Sequence, residues 1–168
     1  QRKMMIETTF HEAFHQYIYF ATGEKSNSSW FNEGNAQFFE EIDFKGKKFE
    51  IGISEQQAKI MPRLTSLSEI NRMLNIPHNN FYLKNKRTDN YALAWGLVFF
   101  LHKGAPVMKK KNNYNEIQMK YYDAILKTGN AKKATETAWE DVNMEEFAED
   151  FNTFWNSKSL IKKATRYD

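Results

Sequence analysis

At four expected helix starts a Ser or Asn is followed three positions later by Glu or Gln: Ser54 with Gln57, Ser66 with Glu69, Asn113 with Glu116 and Asn143 with Glu146. At a helix start this spacing lets the capping oxygen accept from the third amide while the acidic or amide side chain reaches back. A chain punctuated in this way must fold mainly as helices. Gly23, Gly104 and Gly129 are the expected stops, and Pro62, Pro77 and Pro106 the expected bounds. The apolar spacing predicts helices over 3–20, 30–42, 55–61, 67–74, 90–102, 114–127, 131–141 and 144–157, with Ser28 and Ser29 as candidate caps of the second. In the first, Met5, Thr9, Ala13 and Tyr17 with Ile6, Phe10, Phe14 and Ile18 read as one broad apolar face. Residues 75–89 read as loop. Only 43–53 departs from the helical period: apolar and polar residues alternate from Phe44 through Phe49 and Ile51 to Ile53 about Gly46, which predicts a β-hairpin. The fold class is therefore mainly α with one small β-hairpin.

At 168 residues the chain is the length of one domain, 1–168, with 105–168 as its C-terminal helical part. Its 4 Trp, 8 Tyr and 14 Phe supply core material that a disordered chain lacks. With no cysteine, disulfides, thiolate metal sites and cysteine nucleophiles are excluded. A net charge of +3 and lysine clusters without interleaved aromatics (Lys84–Arg87, Lys109–Lys111, Lys162–Lys163) give no case for nucleic acid. The longest apolar run, Ala92–Leu101, is interrupted by Gly96 and falls well short of a membrane span of about 18 residues. Helical pattern begins almost at Gln1, and the expectation is a piece cut from a longer precursor.

His11-Glu12-Ala13-Phe14-His15 is an H-E-x-x-H pattern. Chance matches in a chain of this composition are expected on the order of 0.01 times. Residues i and i+4 share a helix face, so both imidazoles can point at one metal ion while Glu12 sits at the edge of that face. The plainer reading is an amphipathic core helix with two satisfied histidines. A catalytic zinc takes three protein ligands and keeps a position for water. The third is offered by Glu33 on the next predicted helix, after 17 intervening residues, with Gly34 beside it to permit close helix approach.

These residues carry a resemblance. H-E-x-x-H followed by Trp30-Phe31-Asn32-Glu33-Gly34-Asn35-Ala36 and Glu40 is similar to the gluzincin metallopeptidases, and most similar to the bacterial peptidase-MA-like group. Tyr91 to Leu101 is similar to that group's later helix, so the resemblance covers roughly residues 4–105. It implies a zincin-like catalytic domain with an active-site helix and a glutamate helix. It further implies Zn²⁺ held by His11, His15 and Glu33, a peptide or protein substrate, and an extracytoplasmic setting. The group carries a β lobe before the active-site helix, and that lobe is expected to lie upstream of this fragment. Glu12 is then the expected general base and Tyr91, 58 positions after Glu33, the expected oxyanion donor. His78 and His102 are weaker candidates for that role. Glu40, Gln37 and Glu7 are candidates to orient the ligand imidazoles. The alternative function is a non-catalytic, zinc-stabilised or peptide-binding module.

Overall fold

A computed structural model of the chain describes residues 2–45, 48–108 and 114–165. The first helix, α1 (Arg2–Ala21), ends in a turn where Gly23 and Glu24 both adopt left-handed backbone, and the chain returns along α2 (Ser29–Glu40), which packs on α1. Ser28 precedes α2 without capping it through its side chain. Its hydroxyl instead meets the Ala131 carbonyl and the Thr135 hydroxyl at 2.9 and 2.8 Å, and its N–H donates to Tyr121 at 2.7 Å. Tertiary bonds here displace the local cap and pin the α1–α2 turn to the C-terminal helices.

Strands β1 (Ile42–Lys45) and β2 (Lys48–Ile51) form the hairpin as antiparallel partners, Ile42 opposite Ile51 and Phe44 opposite Phe49. The expected turn centre, Gly46, lies outside the described residues. Helix α3 (Glu55–Ile60) has no side-chain cap from Ser54 and runs into a 3-10 turn at Met61–Arg63 that contains Pro62. Helix α4 (Leu67–Leu74) is capped as expected, Ser66 accepting from the Glu69 amide.

The expected loop at 75–89 is corrected by the structure. Pro77 opens a short helix α5 (His78–Phe81), and α6 (Arg87–Phe99) starts three residues early. Asn90, read as the start of the apolar helix, is fully buried: its amide donates to the Phe81 carbonyl at 2.8 Å and its oxygen accepts from Arg72 at 2.8 Å. One buried amide thus joins α4, α5 and α6.

Gly104 and Pro106 do not end this helix as expected. It widens into a π-helical turn (Phe100–Gly104) and continues as α7 (Ala105–Met108). Pro106 falls in the first turn after the widening, where its missing N–H leaves fewer helical bonds broken. After a 3-10 turn (Tyr114–Glu116) come α8 (Ile117–Thr128), α9 (Ala131–Trp139), α10 (Met144–Trp155) and an unexpected α11 (Lys158–Ala164). Gly129 ends α8 in left-handed backbone and Asn143 caps α10, both as expected; the proposed cap Asn113 lies outside the described residues. Ser157 caps α11 by accepting from the Leu160 amide.

One hydrophobic core unites these helices. α6 is buried from Ala92 to Phe99, between α2 on one side and Phe154 and Trp155 of α10 on another. The apolar face expected of α1 divides into two rows. Ile6, Phe10, Phe14 and Ile18 are buried or half-buried, whereas Met5, Thr9, Ala13 and Tyr17 face solvent, as do Met4 and Phe20. Among the described residues no helix is long and apolar enough to cross a membrane.

Gly34 sets the separation of α2 and α6. A Cβ there would lie 2.5 Å from the Ala94 carbonyl oxygen and 2.7 Å from Val98 Cγ2, so backbone meets backbone. Gly34→Ala is expected to cost about 1–3 kcal/mol by overpacking, read as a lower urea midpoint.

Candidate metal centre

In the middle of α1, one turn apart, His11 and His15 stand on the row that faces α2, both half-buried. Their Nε2 atoms are 2.9 Å apart. Glu33, buried in the facing turn of α2, brings Oε2 to 3.8 Å from His11 Nε2 and 3.7 Å from His15 Nε2. Together these are the three residues that group as a possible metal site among the described residues. A point equidistant from atoms so spaced lies about 2.0 Å from each, the length of a zinc–nitrogen bond.

The outer contacts fix which atoms carry protons. His15 Nδ1 lies 3.0 Å from the Asn32 side-chain oxygen, which can only accept, so Nδ1 carries the hydrogen. His11 Nδ1 lies 2.5 Å from Glu40 Oε1, again an acceptor. Both neutral imidazoles therefore turn bare Nε2 lone pairs toward each other. Glu33 Oε2, buried and without a hydrogen-bond donor, aims a third at the same point, while Oε1 accepts from Tyr82 at 2.6 Å. Lone pairs at this separation repel unless something positive stands between them. A cation satisfies all three, and the donor set of two imidazoles and one carboxylate suits zinc.

The supporting shell extends outward. Gln37 donates to Glu40 Oε1 at 3.1 Å, and Gln57 of α3 donates to Gln37. Glu40 and Gln37 were readable as candidates from helical spacing. Asn32 and Tyr82 were not singled out: Asn32 is adjacent to Glu33 in sequence, while Tyr82 falls in the segment read as loop. Glu7 lies half-buried one turn before His11 and is not in the three-residue group.

Beside His11 opens a cavity of about 490 Å³. Thr8, His11 and Glu12 line it from α1, Gln37 and Glu40 from α2, and Arg87, Thr88 and Tyr91 from the first turns of α6. Glu12 is exposed there and Tyr91 half-buried. Burial, and next the Glu33 carboxylate, push the Tyr91 phenol above its ordinary value, while Arg87 opposes them. Burial and the hydrogen bond to Glu33 raise Tyr82 further. His78 lies on the other flank, lining a separate cavity with His15 and Asn32 and packing edge-on to Tyr82 at 5.1 Å. His102 is not brought to the site: it stacks on Phe38 at 5.0 Å and contacts Gln118 at 3.0 Å.

A protein-family model described as "Protein of unknown function (DUF1570)" matches residues 5–111. The chain belongs to this family. The match to DUF1570 runs from α1 through α7 and so contains every residue of the centre and of the adjoining cavity. No curated protein and no solved structure matches the chain.

In this DUF1570 member His11 titrates above its ordinary 6.5: burial alone lowers it, but the Glu40 bond and the charges of Glu40, Glu33 and Glu12 outweigh burial. A histidine so raised contributes stability that is full below its unfolded value and is lost as pH rises through the folded one. For metal-free protein, the urea midpoint should therefore fall as pH rises from about 6 to 8, by virtue of His11. Glu40→Gln should flatten that slope, and a proton-detected titration of His11 should show its pKa dropping.

Proposed function

We propose that this chain is a zinc-dependent peptidase. The observation that carries the reading is the meeting of three bare ligand atoms (His11 Nε2, His15 Nε2, Glu33 Oε2) beside a cavity that Glu12 and Tyr91 also line. Among the described residues no fourth His, Asp or Glu joins the three. Three protein ligands with an open position favour a catalytic site over a closed structural one. The resemblance of the H-E-x-x-H and Asn32-Glu33-Gly34 stretches to gluzincin metallopeptidases supports the same reading. With it go a peptide or protein substrate and an extracytoplasmic setting.

A zinc ion bound there supplies Lewis acidity and lowers the pKa of water at the site to about 7. Glu12, next to a ligand histidine and exposed in the cavity, takes a proton from the attacking water and delivers it to the leaving amine. Tyr91 donates its phenolic hydrogen to the carbonyl oxygen as negative charge develops there. Its raised pKa keeps that hydrogen in place at neutral pH. Tyr82 holds Glu33 Oε1, which leaves Oε2 for the ion. Asn32 and Glu40 hold the imidazoles in the tautomer that ligation needs.

Elemental analysis of zinc-replete protein is expected to give one zinc per chain, lost in His11→Ala, His15→Ala and Glu33→Ala. Glu12→Gln should keep the zinc and abolish peptide hydrolysis. Zinc-replete protein that stays metal-free, or unchanged activity in Glu12→Gln, would overturn the reading.

Tyr91→Phe should keep zinc content and lower kcat by about 10²–10³, the usual effect of losing one oxyanion donor. An unchanged kcat would leave Tyr91 a packing residue against Phe81, whose ring lies edge-on to it at 5.0 Å.

A further inference from the structure

The cavity beside the candidate metal centre contains one charged group that the proposed chemistry does not use. Arg87, the first residue of α6, lines it together with Glu12 and Tyr91. Its guanidinium sits 5.7 Å from the centroid of the Tyr91 ring. The other arginines of this region are engaged by acceptors: Arg63 meets Asp89 at 2.5 Å, and Arg72 meets Glu69 at 2.7 Å and Asn90 at 2.8 Å. No carboxylate among the described residues pairs with Arg87. The side chain is solvent-exposed, so it is held in the cavity by Tyr91 without being buried.

The acids in the same cavity are otherwise committed. Glu40 is held by His11 and Gln37. Glu12 stands on α1, across the cavity from the α6 wall that carries Arg87. A planar, permanently charged fork matches a carboxylate with two parallel hydrogen bonds.

We propose that Arg87 is the specificity residue of this site and takes a carboxylate of the substrate, so that the preferred peptides carry a negative charge close to the bond presented to the metal. The proposal rests on the peptidase reading for the identity of its ligand as a peptide. The carboxylate has two sources, an acidic side chain within the peptide or its free C-terminus.

The test uses the full chain, zinc-loaded, carrying Glu12→Gln so that bound peptide is not consumed. Three peptides are titrated by calorimetry: acetyl-tetra-alanine amide, the same peptide with a free C-terminal carboxylate, and acetyl-Ala-Ala-Glu-Ala amide. One or both charged peptides are expected to bind about tenfold more tightly than the neutral one, as for a charge-assisted hydrogen bond. Which one does so identifies the source. Adding Arg87→Gln should abolish the preference, and Arg87→Lys should retain part of it. Equal affinity for all three, no binding by any of them, or a preference that survives Arg87→Gln would overturn the proposal. Hydrolysis by the protein with Glu12 intact answers the other question separately. Cleavage without charge preference leaves the peptidase reading standing and removes Arg87. A charge preference lost in Arg87→Gln, without cleavage of any peptide, does the reverse.

Discussion

Everything at the candidate metal centre depends on how closely α2 approaches α6. The contact is backbone to backbone, with Gly34 against the Ala94 carbonyl, and the residue just before that glycine is Glu33. Helix α2 is thus used on both sides at one turn. Toward the core it buries Trp30, Phe31 and Phe38. Toward α1 it presents Asn32, Glu33, Gln37 and Glu40 to the two histidines. A carboxylate as buried as Glu33 is costly in isolation, and its position follows from core packing on the opposite side of the same helix. Close packing makes interiors poor at absorbing even a methyl group, so a site anchored in this way inherits the rigidity of the core.

The three candidate ligands were legible because metal binding would demand a spacing that helices print into sequence. His11 and His15 are one turn apart, and Glu33 falls on the next helix beyond a Gly-containing turn. Likewise Ser66, Asn143 and Gly129 act locally, through their own backbone, and local rules found them. Ser28 obeys the same rule in sequence and breaks it in space, because Tyr121 and Thr135, about a hundred residues away, offer it better partners. Asn90 is a second case. Its place in the sequence reads as a helix start, but here its amide is the buried joint between three helices.

The residues that complete the site arrive from outside any periodic pattern. Tyr82 reaches Glu33 from beyond a four-residue helix whose existence rests on Pro77 and on burial of Phe81. No spacing rule relates position 82 to position 33. Gln57 meets Gln37 across two elements, α3 and α2, for the same reason. Arg87 and Thr88 line the cavity only because α6 begins earlier than its apolar pattern does. The sequence therefore displays the atoms that hold an ion more readily than those that steer them.

Helix α1 packs on α2 along one row and leaves Met4, Met5, Tyr17 and Phe20 in water on the other. An element secured along a single seam is drawn from the low end of the local-stability range and opens before the core does. Two of the three ligand atoms ride on that helix and the third on the body of the protein. An ion shared between them would be a clasp across the seam, its binding free energy becoming resistance of α1 to detachment. Amide exchange along α1 should then slow when metal is added, while exchange in the buried stretch of α6 stays as it was. Under the zinc proposal, metal occupancy and the attachment of the first helix would be two measures of one equilibrium.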